Sequence, residues 1–133
     1  MIAKKTKITD VAYQGAIKAL NKCAKPVGFY ASGLKGGYEA IWARDSMTTS
    51  LGASLLSKQY QAPFRKSLEA LGKNQAWHGA IPNAVGCWNS ERQSDVTFNS
   101  IDSSLWFIIG HYVYSCAYGD KSLLKKNKNK VDA

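Results

Sequence analysis

Cysteine is scarce in this sequence: Cys23, Cys87 and Cys116 are an odd number with no Cys-x-x-Cys spacing. That excludes a fully paired disulfide framework and leaves reduced thiols as the expectation. Histidine is scarcer still. His78 and His111 stand at no metal-ligand spacing to each other or to the cysteines, so no metal is expected. Long apolar runs are missing: the longest, Leu105 to Ile109, has five residues, far short of a membrane-spanning helix. Met1 to Ile8 carries three lysines but leads into no apolar secretory core, so the cytoplasm is the expected compartment and a membrane partner is not expected.

Acids are outnumbered two to one, which gives a net charge of +9. The excess sits at the ends: Lys4, Lys5 and Lys7 supply +3, and five lysines against Asp132 after residue 120 supply +4. Residues 9–120 are left with +2, too little for a basic nucleic-acid face inside the folded body. What is present is a 45% apolar chain of 133 residues, enough for one domain with one core, fraying at 1–8 and 126–133.

Periodicity predicts an all-α fold of about five helices joined by glycine-rich loops. Thr9 and Asp10 offer caps to a first helix with the stripe Tyr13, Ile17, Leu20 and Ala24, stopped by Pro26 and Gly28. Val27 to Ala40 reads as irregular or short-strand structure. A second helix starts near Asp45 or Ser46 with Met47, Leu51 and Leu55 on one face, and its few charges predict burial on several sides. Pro63 suits the first turn of a third, with Phe64, Leu68 and Leu71 inward and Gly72 as its stop. A long connection from Lys73 to Ile101 follows, a length more often functional than incidental. The fourth helix starts at Asp102 and carries Leu105, Ile109, Tyr112 and Cys116 to Gly119; Asp120 caps a short fifth. With Trp106, Phe107, Ile108 and Val113 added, the fourth helix has more apolar surface than three helices can bury, so self-association is expected.

Two strings place acids beside aromatics at helix starts: Gly36-Gly37-Tyr38-Glu39-Ala40-Ile41-Trp42-Ala43-Arg44-Asp45-Ser46 and Phe98-Asn99-Ser100-Ile101-Asp102-Ser103-Ser104-Leu105-Trp106-Phe107. Between them lies Trp77-His78-Gly79-Ala80-Ile81-Pro82-Asn83. Capping would explain Asp45 or Asp102 singly, and core packing would explain Trp42 or Trp106. Capping has no use for a whole Trp-Ala-Arg-Asp string. Sugars do: their hydroxyls take planar charged partners, and their CH faces take flat aromatics. Cleaving a glycosidic bond also needs two carboxyl groups.

These strings resemble the ordered motifs of the amylo-α-1,6-glucosidase-like glycoside hydrolases, within the six-hairpin group that includes glucoamylases, trehalases and neutral invertases. The likeness covers roughly residues 9–125. It implies part of an (α/α)6 toroid of twelve helices, an incomplete barrel with the active site at one end. It also implies an α-glycosidase acting on α-glucans or short α-glucosides without a cofactor. By that resemblance Asp102 is the general acid, kept protonated by burial against Leu105, Trp106 and Phe107; Arg44 and Asp45 hold sugar hydroxyls; and Trp42, Trp77, Asn83 and Trp106 line the substrate pocket. The family's general base lies far beyond residue 133, so the chain is expected to be an amino-terminal piece, inactive alone. Rival readings are another exo-glycosidase such as an α-mannosidase, a non-catalytic carbohydrate-binding protein, and a basic nucleic-acid-binding module.

Overall fold

The computed structural model describes residues 7–34, 38–89 and 93–133. Among these, six α-helices dominate, with two small antiparallel sheets. The fold is therefore mostly helical, as expected, although the strands correct a purely all-α reading.

The first helix, α1 (Ile8–Cys23), is capped by Lys7 backbone alone; Thr9 and Asp10 lie inside it and cap nothing. It buries no residue, and of its expected stripe Tyr13 is 53% exposed while Ala24 lies beyond the helix end. Only its last turn reaches the core, through Leu20 and Cys23. Pro26 and Gly28 do end it, by folding β1 (Ala24–Lys25) back on β2 (Gly28–Phe29). Gly28 has φ +139° and lies so close to Ser67 that a Cβ would collide with its hydroxyl. That contact lets Phe29 N donate to Ser67 Oγ at 2.8 Å, seating the hairpin on α3.

Helix α2 (Ala43–Ser54) starts two residues before the expected position. Its buried face is Ala43, Ser46, Met47, Ser50 and Ala53; Leu51 is half-buried and Leu55, at its C-cap, is 88% exposed. The expected Met47-Leu51-Leu55 face is therefore wrong beyond Met47, and burial on several sides is not seen: Arg44, Asp45, Thr48 and Gly52 are exposed. Small side chains form the inner face because α4 (Asp102–Tyr118) crosses close by, with Gly110 against Met47. A 3-10 turn (Lys58–Tyr60) leads into α3 (Gln61–Lys73), where Pro63 lies in the first turn and Phe64, Leu68 and Leu71 are fully buried, as the spacing predicts. Gly72 does not stop α3, which continues to Lys73; it makes room for the Phe107 ring.

The long connection is structured. Strands β4 (Ala84–Asn89) and β5 (Ser94–Thr97) pair with each other, and β4 pairs with β3 (Ile41–Trp42) in the order β3-β4-β5. Helix α4 starts at Asp102 and ends at left-handed Gly119, both as expected, but its inward face is not. Phe107, Gly110, His111 and Tyr114 are buried, whereas Leu105, Ile109, Tyr112 and Cys116 face out.

Two short helices follow in the segment after Asp120. Helices α5 (Ser122–Lys126) and α6 (Lys128–Val131) pack Leu123 and Asn127 inward, and Lys130 Nζ donates to Gly72 O at 2.7 Å. Asp120 Oδ1 accepts from Ser122 N at 2.8 Å and so bonds the start of α5, although Lys121 and not Asp120 occupies the cap position. Cys23 and Cys116 are free thiols; the side chain of Cys87 lies outside the described ones, as do residues 1–6 of the expected frayed start. Among the described residues, no helix is long and apolar enough to cross a membrane, and no cluster of His, Cys, Asp or Glu could hold a metal.

Candidate functional site

The three-stranded sheet brings the two acid-bearing helix starts together. Strand β3 runs without a break into α2, so Trp42 is both the last strand residue and the helix cap. Strand β4 begins beside it, with Trp42 opposite Ala84, and β5 returns alongside with Thr97 opposite Ala84. From Thr97 four residues lead into α4 at Asp102. Residues 58 apart in sequence thereby meet: Arg44 Nε donates to Asp102 Oδ2 at 2.6 Å.

Asp102 collects donors. Trp106 Nε1, one helical turn on, donates to Oδ2 at 3.1 Å, and the Ser100 hydroxyl donates to Oδ1. None of these is a backbone N–H of α4, so Asp102 is not acting as a helix cap. The expectation that burial keeps Asp102 protonated is also overturned. Its side chain is about one-third exposed, and hydrogen bonds from Arg44 and then Ser100 hold the carboxyl far below the ordinary carboxylate range. Reciprocally, the bond and charge of Asp102 raise the Arg44 pKa. The apolar neighbours that were to do the burying are not aligned for it: Leu105 is 62% exposed and Phe107 points into the core.

Beside this pair lies a cavity of about 140 Å³ lined by Trp42, Arg44, Asp45, Asn83, Ser100 and Ser103. Trp42 is half-buried with its ring edge-on to Tyr38 at 5.2 Å, and its indole Nε1 is buried without a hydrogen-bond partner among the described residues. Asp45, in the first turn of α2, is exposed and its carboxylate accepts no hydrogen bond among them, although its charge helps to raise the Arg44 pKa. Two residues that line the cavity thus carry polar atoms without hydrogen bonds, a buried donor on Trp42 and an exposed acceptor on Asp45. Asn83 is present, but its Oδ1 is already taken by Thr97 Oγ1 at 2.9 Å and Asn99 N at 2.7 Å.

Of the expected site residues, Trp42, Arg44, Asp45 and Asn83 line one cavity, with Asp102 attached to it through Arg44 and Ser100. Trp106 spends its N–H on Asp102 rather than on the cavity. Trp77 does not join them: it is 97% exposed with its ring against His78. Sequence reasoning passed over Ser100, Ser103 and Ser104. Ser100 and Asp102 stand at the two-residue spacing from which a hydroxyl reaches a carboxylate, and that was a legible signal. Ser104 Oγ accepts from Ile81 N at 3.2 Å, which ties the Ile-Pro-Asn string to the first turn of α4.

No curated protein and no solved structure matches this chain. The model of one family, described as amylo-alpha-1,6-glucosidase, matches residues 18–132, a span that takes in every residue of the cavity and nearly the whole chain. On that match, the chain belongs to the amylo-alpha-1,6-glucosidase family.

Proposed function

We propose that this chain carries one half of a glycoside hydrolase active site that cleaves α-glucosidic bonds, within an (α/α)6 barrel of which these helices are a part. The observation that carries the reading is the cavity where Trp42, Arg44 and Asp45 meet the Arg44–Asp102 pair. Arg44 and Asp45 hold sugar hydroxyls, Trp42 offers an N–H and a flat face, and Asp102 is the carboxyl that protonates the leaving oxygen.

An ionised Asp102 cannot donate a proton. Substrate must therefore draw Arg44 away. When a hydroxyl accepts from Arg44, Asp102 loses its strongest donor, and an apolar substrate face replaces water beside it; both changes raise its pKa. The second carboxylate, which activates water in an inverting mechanism, comes from elsewhere, with the two groups roughly 6.5–9.5 Å apart. After Asp102 the only acids are Asp120, tied to Arg65, and Asp132, tied to Lys128. By the family's pattern the second carboxylate lies further on, so no turnover is expected from these 133 residues alone. In a form that does turn over, Asp102→Asn lowers turnover by several orders of magnitude and leaves binding largely intact.

The pairing of Asp102 with Arg44 also favours a second reading, sugar binding without catalysis. Isothermal titration with isomaltose and maltose, run beside a hydrolysis assay on an extended form, separates the two. Binding that Asp45→Asn and Arg44→Ala both weaken supports the site; unchanged affinity in both variants removes it.

A further inference from the structure

We propose that Asn83 is a positioning residue, whose carboxamide oxygen and backbone clamp the start of α2 to the approach of α4 and so set the gap across which Arg44 meets Asp102. Four hydrogen bonds converge on this one residue. Asn83 O accepts from Ala43 N at 2.9 Å, and Asn83 N donates to Thr97 O at 2.8 Å. Asn83 Oδ1 accepts from Thr97 Oγ1 at 2.9 Å and from Asn99 N at 2.7 Å.

Each bond falls at a place that matters. Ala43 N is one of the first N–H groups of α2, which have no partner inside the helix. Asn83 O supplies one, and the next residue is Arg44. Thr97 is the last residue of β5 and is buried. Asn99 lies three residues before Asp102 on the segment that delivers it. The orientation of the amide follows from the partners: a backbone N–H can only donate, so the atom facing Asn99 N is the oxygen. With two donors on it, that oxygen has no lone pair to spare for a sugar hydroxyl. Asn83 therefore acts on the site through geometry, which is the expensive kind of loss: a displacement of about 1 Å at a catalytic group costs roughly 10²-fold in rate. Only the consequence for catalysis rests on the glycosidase reading; the clamp itself does not.

Two variants separate the clamp from a ligand role. Asn83→Ala removes both side-chain bonds, while Asn83→Asp keeps an oxygen for Thr97 and Asn99 and abolishes the Nδ2 donor that a sugar would use. The readout is the Arg44 Nε–H resonance near neutral pH, which the 2.6 Å bond to Asp102 is expected to shift in the native chain. Asn83→Ala moves it to the position of a free arginine, and Asn83→Asp restores it. Isomaltose affinity follows the same order. An unchanged resonance in Asn83→Ala overturns the clamp, as does a free-arginine position in Asn83→Asp. If Asn83→Ala does not fold, Thr97→Val, which deletes one of the two bonds, is read by the same criterion. A chain that shows this contrast yet binds no isomaltose keeps the clamp and loses the sugar reading.

Discussion

Arg44, which lines the cavity, and Asp102, beside it, form the shortest ion pair among the described residues, 2.6 Å between Nε and Oδ2. The pair joins the first turn of α2 to the first residue of α4. It lies in water, with Arg44 65% exposed, so its contribution to stability is small and screened by salt. Its consequence is a protonation state.

The carboxyl of Asp102 titrates below the ordinary value in the folded chain, chiefly through Arg44. Its stabilising contribution is therefore complete above the unfolded pKa of about 3.9 and is lost as pH falls through the lower folded value. Arg44→Ala removes that contribution. Urea unfolding across a pH series is expected to show the native chain ahead of Arg44→Ala at neutral pH, with the two converging in acid. Parallel curves would contradict it.

His111 gives a second pH dependence of independent origin. It is buried at 1% exposure, Nδ1 donates to Phe107 O at 2.9 Å, and Nε2 accepts from Asn127 Nδ2 at 3.0 Å. Both ring nitrogens are satisfied only in the neutral form, and burial lowers its pKa. Below the unfolded value of about 6.5, the unfolded chain takes up a proton that the folded chain refuses. Stability is expected to fall on acidification from that point down to the folded pKa, by at most about 1.4 kcal/mol per pH unit. A thermal midpoint independent of pH across this window would show that His111 is charged in the fold.

Two helical glycines predict opposite signs. A Cβ at Gly110 would overlap Met47 Sδ and lie 3.0 Å from Leu68 Cδ2, whereas one at Gly52 meets nothing within 4 Å. Gly52→Ala is expected to stabilise by up to about 1 kcal/mol through helix propensity. Gly110→Ala gains the same term but overpacks the core, at a cost of about 1–3 kcal/mol, and is expected to be net destabilising. Chemical denaturation of both variants tests the contact between α2 and α4.

Leu105, Ile108, Ile109 and Tyr112 form an exposed apolar face on α4, at 62, 43, 42 and 70%. Surfaces of this kind drive association. Light scattering is expected to show self-association of the isolated chain, relieved by Leu105→Gln with Ile109→Gln at little cost in thermal midpoint. A clean monomer before substitution would contradict this.

The inward face of helix α3 was legible because Phe64, Leu68 and Leu71 interrupt a mostly polar sequence, so only one face can go inside. Helix α4 offers no such contrast. It is apolar almost all round, so spacing could place its ends but not choose its face; Gly110, Ser103 and Ser115 chose it by allowing close approach. The same rule of small residues decided α2. The hairpin of β4 and β5 was hidden because Gly86 and Asp95 dilute the β-branched signal of Val85, Val96 and Thr97. In the site, the residue types of Trp42, Arg44, Asp45 and Asp102 were readable from their strings. Which of them pair was not. Asp102 was read from its chain neighbours, and the partner that sets its charge comes from 58 residues away.

The most direct test of the central claim is to follow the Trp42 Nε1–H and Arg44 Nε–H resonances while isomaltose is added. The account predicts that both move and saturate together with one dissociation constant, in the millimolar range expected of half a site, about −4 kcal/mol. Asp45→Asn should weaken that constant. Resonances that stay still, or move only at the exposed Trp77, would contradict a sugar site built on Trp42, Arg44, Asp45 and Asp102.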